Sequence, residues 1–461
     1  MPFSWADIAN AASQHMNDAL QHNDSSGTTC RSKRKMVHPA GRSFEIASQL
    51  RRSEDLITAG SHGTSRKVLD HMNRLSRITL AIGCTALLGA TCSTAFAQEK
   101  LVIGTISALN GPGSEWGRGV DGGARIAANE INEAGGLVVG GKTYKIEVRS
   151  YDDGYKAAEA VAAATRLIEQ DGVKFIVGPL GSASALAIKP MVEDAGVLAL
   201  VNSYTPETLA GNPKYVYRVL PTGAEFDKPM VDWVKKNHPE YKKVVVISPN
   251  DQTGWDSQKL QIIAYEGAGF KVVGKELFER SAVDFQPIIT RIMGSSPDII
   301  ELDSTPPTTA GLIIRQAREL GFKGQFVKIG GPGVEAIVQA AGKEFAEGTI
   351  CYAAADTSLE KYKWMEQQYV KLYNPPMNTF NVFFYDATNM LFAAMKKAGT
   401  VKDVDAIGKA LTEVAPYQGV QGKLVWGGKA IYGNNHQLQV PTFIATISDG
   451  KEKIVGKIEA E

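Results

Sequence analysis

Cysteine and histidine are scarce in this chain. Its 461 residues hold 4 cysteines, Cys30, Cys84, Cys92 and Cys351, and 7 histidines. No two cysteines form a C-x-x-C pair, which removes the common zinc and thiol-redox motifs. Beyond residue 97 only His238 and His436 remain, neither in a motif, and no H-E-x-x-H or G-x-S-x-G sequence occurs. An excess of one charge is also lacking. Fifty Lys and Arg stand against 49 Asp and Glu, so there is no electrostatic footprint for nucleic acid or an anionic membrane surface. An enzyme of the α/β class is therefore the weakest reading, and a binding protein the strongest.

Glycine is plentiful, with 46 residues, as suits a chain with many tight strand-to-helix turns. The organising stretch is Phe175-Ile176-Val177-Gly178-Pro179-Leu180-Gly181-Ser182-Ala183-Ser184-Ala185-Leu186. Phe175 to Val177 is apolar throughout, as expected for a parallel strand buried on both faces. Gly178, Pro179 and Gly181 end it, Ser182 takes the N-cap position and Ser184 lies in the first helical turn. Unpaired N–H groups at such a helix start attract carboxylates, and ligands of open α/β sheets gather at these strand ends.

Residues 1–71 differ from the rest. They are polar, carry the basic run Arg31-Ser32-Lys33-Arg34-Lys35, and read as a disordered extension or an early start codon. Residues 72–97 read as a signal peptide: Arg74 and Arg77, an apolar stretch from Ile78 to Leu88, then Ala95-Phe96-Ala97. The apolar stretch is too short to span a bilayer. Cys84 and Cys92 lack a clear lipobox. A mature chain beginning at Gln98 in the periplasm keeps Cys351 alone and has no intrachain disulfide, so burial must stabilise it.

From Leu101 onward strands and helices alternate. Strands are expected at 101–106, 144–151, 175–177, 197–201 and 215–220. Helices fall at 116–134, 157–170 and from Ser182 to Asp194, with Pro190 kinking or breaking the last. Ser203-Tyr204-Thr205-Pro206-Glu207 is a second strand-end turn of the same kind, with Thr205 as N-cap and Pro206 at N1. After Pro221 to Gly223 the alternation starts afresh, with strands at 244–248, 271–277, 299–302 and 325–329. Two such blocks mean two parallel sheets covered by helices. Helices at 360–373 and 382–397, then strands at 419–426 and 440–448, complete the chain.

Several short motifs carry alternatives. Gly111-x-Gly113 with Gly117 misses the dinucleotide fingerprint spacing by one residue and reads instead as a loop that presents Trp116. Asp152-Asp153 reads as a turn and lobe-interface element rather than a metal site. Asp303, at a strand end, either accepts a ligand ammonium or caps the turn through Pro306-Pro307. Trp255 and Phe380, near helix starts, either stack on ligand or pack in the core.

Ile103-Gly104 leading to Gly111–Gly117, Asn129 to Gly136, Tyr151-Asp152-Asp153, Val177-Gly178-Pro179 with Ser182, and Arg315 to Gly321 occur here in order behind a signal sequence. In this arrangement residues 99–461 resemble a periplasmic solute-binding protein of the branched-chain amino acid ABC-transporter family, leucine-binding-protein-like, with the type I fold. The resemblance implies an α/β architecture of two doubly wound parallel-sheet lobes joined by three crossovers, near Leu220 to Gly223, Gly348 to Cys351 and Gln437 to Val440. Lobe 1 would comprise 98–222 and 350–437, and lobe 2 residues 223–349 and 438–461. It implies a monomer that closes on a small solute, delivers it to an inner-membrane ABC permease, and uses no cofactor, metal or catalytic residue. A sensory protein with the same fold is the alternative role. The implied ligand residues are Trp116, Ser182, Ser203, Tyr204, Thr205, Trp255, Asp303 and Phe380. The family's acid for the ligand ammonium would fall near Gly330-Gly331-Pro332-Gly333, where there is no carboxylate. Either Asp303 substitutes, with an amino acid as ligand, or the ligand is a carboxylate or amide without an amine, such as an aromatic acid.

Overall fold

The computed structural model describes residues 98–460, apart from Pro112 and Thr379. The expected leader at 72–97 and the extension before it lie outside the described residues. The chain first lays down β1 (Glu99–Ser107), β2 (Leu137–Val139), β3 (Lys142–Asp152), β4 (Phe175–Leu180), β5 (Leu198–Asn202) and β6 (Val216–Arg218). It then crosses to a second sheet for β7 (Lys243–Pro249), β8 (Lys271–Phe278), β9 (Ile299–Glu301), β10 (Gln325–Lys328) and β11 (Ile350–Ala353). It returns for β12 (Tyr417–Gly419), β13 (Gly422–Gly427) and β14 (Gln437–Gln439), and crosses last to β15 (Thr442–Ser448) and β16 (Lys451–Ile458). The sheets have nine and seven strands, ordered β12-β13-β14-β6-β5-β4-β1-β3-β2 and β16-β15-β11-β10-β9-β7-β8. The cores are parallel, and antiparallel pairs lie toward the sheet ends. The chain thus crosses three times between two α/β lobes.

β4 shows why the sequence folds this way. All six of its residues are buried, since a central parallel strand has helices on both faces. Contrary to expectation, the strand does not stop at Val177 but runs on through Gly178-Pro179 to Leu180. A side chain at 178 would strike the carbonyl of Ile106 on β1, and φ there is 94°, so only glycine lets the two strands approach. The following helix, Ser182–Ala195, keeps Pro190 inside it and is unbroken.

The second crossing differs from expectation. β11 pairs with β10 and β15 of the second sheet, so the chain leaves that sheet after Ala353 and not near Gly348 to Cys351. The helix Phe380–Ala398 then packs against Ser114–Glu133 of the first lobe. Gly119, Gly122 and Gly123 allow this approach, because a Cβ at each would meet residues 378–385. The expected strand at 419–426 falls in the β12–β13 hairpin, the one at 440–448 is β15, and β14, just before it, was not expected. β16 went unread because it is an edge strand with alternating half-exposed and exposed residues and a charged start, Lys451-Glu452-Lys453. The largest buried apolar cluster includes side chains of both lobes, which meet through Tyr204, Phe226 and Tyr352.

Candidate functional site

The first-lobe wall of the cleft consists of the two turns that follow β4 and β5. Gly181, not Ser182, is the N-cap, so the helix begins at Ser182, one residue earlier than expected. The Ser182 hydroxyl oxygen accepts from the amides of Tyr204 (3.1 Å) and Thr205 (3.3 Å), so it ties the two turns together. Its amide donates to Thr253 Oγ1 of the second lobe at 3.0 Å. The other two hydroxyls are engaged locally. Ser203 Oγ pairs with Thr208 Oγ1 at 2.7 Å, and the Thr205 hydroxyl donates to the Glu207 carboxylate. Thr205 does precede Pro206 as N-cap, but only of the 3-10 turn Pro206–Thr208, and its side chain caps nothing. Of the three, only Ser182 has its hydroxyl between the turns.

The second-lobe wall is built on the ends of β9 and β10. Asp303 is fully buried and accepts from Ser257 Oγ (2.6 Å), the Tyr204 hydroxyl (3.2 Å) and the amide of Ser304. The Tyr204 contact joins the lobes directly. A Cβ at Gly330 would collide with the Asp303 carboxylate and the Tyr204 hydroxyl. The Asp303 carboxylate, in the turn just past β9, therefore fills the space that a side chain at 330 would need. Burial raises the pKa of Asp303, opposed by Ser257, Lys328 and the Ser304 amide.

Two more carboxylates lie behind it. Glu301 accepts from the amides of Leu302, Asp303 and Ile329 and from the Tyr265 hydroxyl, and burial pushes its pKa up to about 8. Asp227, on the helix Gly223–Asn237, is 1% exposed, and neither carboxylate oxygen has a hydrogen-bond partner. Burial, then the charges of Asp303 and Glu301, raise its pKa well above the ordinary carboxylate value, which favours its protonated form. Two cations share this wall. Lys328, buried, donates to the carbonyls of Gly330 and Gly331, and burial lowers its pKa to about 8. Arg280 pairs with Asp251, donates to Ser304 O and to the Tyr155 hydroxyl, and stacks 4.4 Å over the Tyr155 ring.

The aromatic residues divide. Trp116 is presented by the Gly113 N-cap, is buried, and lies 5.7 Å from Phe380 at 30°. The Lys328 ammonium is 5.6 Å and the Arg280 guanidinium 6.0 Å from the Trp116 ring centre, while its indole N–H is buried without a partner. Tyr204 packs edge-on to Phe226. Trp255 does not join them. It is 49% exposed, and its indole donates to Asn250 Oδ1 at 3.0 Å, because the helix begins three residues earlier, at Gln252. The Asp152-Asp153 pair acts in a turn: Asp152 accepts from Leu109 N, Asn110 Nδ2 and Gly154 N, and Asp153 from Tyr155 N.

Thr253, Tyr155, Arg280, Lys328 and Asp227 were not foreseen as site residues. Tyr155 and Thr253 lie within two residues of motifs already singled out. For Lys328 the available signal was a lone cation directly after the apolar pair Phe326-Val327, since such residues are almost never fully buried without a reason.

The sequence pattern described as periplasmic binding protein matches residues 100–452. A Leu/Ile/Val-binding protein homolog of Brucella melitensis is 28% identical over 363 residues, covering 78% of this chain and 94% of that protein. Leu/Ile/Val-binding protein BraC3 of Rhizobium johnstonii is 26% identical over 352 residues, covering 76% and 94%. Among solved structures, the leucine binding protein LivK of Thermotoga maritima superposes with a TM-score of 0.68 at 25% identity, over 78% of this chain and 99% of that one. A solute binding protein of R. palustris in complex with benzoate shares the fold, with a TM-score of 0.66 at 18% identity over 78% and 97%.

Proposed function

The chain belongs to the periplasmic binding protein family, and from that premise we propose that it is the extracytoplasmic solute-binding component of an ABC importer. Its solute is a small carboxylate-bearing molecule held between the lobes, an amino acid in the first place. The names of the relatives, Leu/Ile/Val-binding proteins, support this reading. The observation that carries it is the buried Asp303 carboxylate facing the Tyr204 turn across the cleft. An acid there supplies the counter-charge that a desolvated ammonium requires, and Gly330 leaves room for it. Ser182, opposite, serves the ligand carboxylate.

The lobes close by rotation about the three crossovers, as hinge-type binding proteins do, and the closed form is offered to a permease by a monomer exported through the 72–97 leader. Calorimetric titration with L-leucine, L-isoleucine, L-valine and benzoate tests the solute class, and mass spectrometry of the titrated solute confirms that it is returned unchanged. Saturable binding of an amino acid upholds the reading. Binding of benzoate alone replaces it with the second reading, an aromatic carboxylate without an amine, which the Lys328 ammonium beside Trp116 favours.

A further inference from the structure

Behind the first-lobe wall lies a buried cation with no carboxylate partner. Arg218 on β6 is 0% exposed, and among the described residues no acidic group forms an ion pair with it. Its Nη1 donates to the carbonyls of Ser203 (3.2 Å) and Thr205 (3.1 Å). Its Nε donates to Gln437 Oε1, and the guanidinium lies 4.4 Å over the Tyr432 ring. Nη2 is buried without a partner. The carboxylate beyond that ring, Glu225, is engaged by Thr222 and by the Tyr432 hydroxyl. A desolvated guanidinium without a carboxylate partner is costly, and an anion coupled to it would offset part of that cost.

The chain of contacts leads to the Ser182 hydroxyl. The carbonyl of Ser203 and the amide of Tyr204 belong to the same peptide unit and point in opposite directions. The carbonyl end accepts from Arg218, and the amide end donates to Ser182 Oγ. That oxygen also accepts from the Thr205 amide, which leaves the Ser182 hydroxyl proton as a donor. Bonds in such a chain polarise one another, most strongly where water is excluded.

We propose that Arg218 is a positioning residue for the ligand carboxylate, acting through the Ser203–Tyr204 peptide to make Ser182 a strong donor to an anion. The inference rests on the reading that the solute bears a carboxylate. It is tested by titrating purified protein with L-leucine and L-leucinamide, and with benzoate and benzamide. Arg218→Met is expected to weaken binding of the preferred acid by about tenfold while leaving its amide within about threefold. In a Ser182→Ala background the same substitution should cause no further loss of that preference. Equal weakening of acid and amide, or the full effect without Ser182, would overturn the proposal and leave Arg218 a structural residue. If Arg218→Met does not fold by circular dichroism, Arg218→Gln gives the measurement, and an acid preference unchanged from wild type overturns it. A wild type that prefers neither acid over its amide overturns the carboxylate reading itself, and the inference with it.

Discussion

Behind the turns after β4 and β5 the buried charged side chain is Arg218, with Asp153 buried just past the end of β3, and the polar side chains around Arg218 are bonded within two neighbouring turns. On the second-lobe side three carboxylates, Asp227, Glu301 and Asp303, are buried on two elements, with Lys328 the fully buried cation beside them. The first wall offers the Ser182 hydroxyl to a negative group, and the second offers the Asp303 carboxylate to a positive one, with Lys328 and Arg280 nearby. A zwitterion satisfies both, whereas a simple acid satisfies only the first. The contrast also shows how charge is tolerated in each wall. Peptide dipoles spread the charge of Arg218, while burial raises the pKa of Asp227 and so favours its neutral form.

The largest expected effect comes from cancelling the second wall. Asp303→Asn should weaken L-leucine binding by about a hundredfold, because it leaves a desolvated ammonium unpaired. It should leave 4-methylpentanoate, the same carbon skeleton without the amine, within about threefold. Calorimetry with both ligands decides this, and an equal loss for both would mean that Asp303 organises the wall without reading an amine. Ser182→Ala, on the first wall, should cost about tenfold for L-leucine, the loss of one hydrogen bond to a charged group. Thr205→Val should cost less, since that hydroxyl is already directed at Glu207.

A smaller effect, on stability, sharpens the electrostatic side of the comparison. The pKa of Asp227 is raised in the folded protein, so above its unfolded value near 4 the folded chain holds a proton that the unfolded chain has released. Stability should then fall as pH rises from about 4 toward neutrality, with a slope of up to about 1.4 kcal/mol per unit for one proton. Asp227→Asn should flatten that slope in urea titrations across this range, and an unchanged slope would mean that Asp227 ionises in place. The least effect is expected from Trp255→Ala. With its ring half exposed and its indole on Asn250, binding should change by less than about twofold by calorimetry.

The two walls were unequally legible. The first could be read because its groups are close in sequence to strand ends and helix starts, where glycine, proline and hydroxyl residues mark the backbone. Even there, the direction of each hydroxyl was not legible: Ser203 and Thr205 turn to Thr208 and Glu207. The second wall draws on residues from 227 to 330 that no local pattern connects. Asp303 was noticed as a strand-end acid, but its collision with any side chain at 330 was not visible. Asp227 was hidden in the apolar face of its helix, between Phe226 and Met230.

By itself the sequence determined the alternation of strand and helix, the two blocks that make two lobes, and the strand-end turns proposed to hold the ligand. Those follow from periodicity and backbone chemistry, which act over a few residues. The tertiary structure decided which charges face one another across the cleft, that β11 belongs to the second lobe, that Trp255 lies outside the cluster, and that Arg218 is buried without an acid. Those depend on desolvation and on contacts between residues far apart in the chain, and neither has a local signature for the sequence to display.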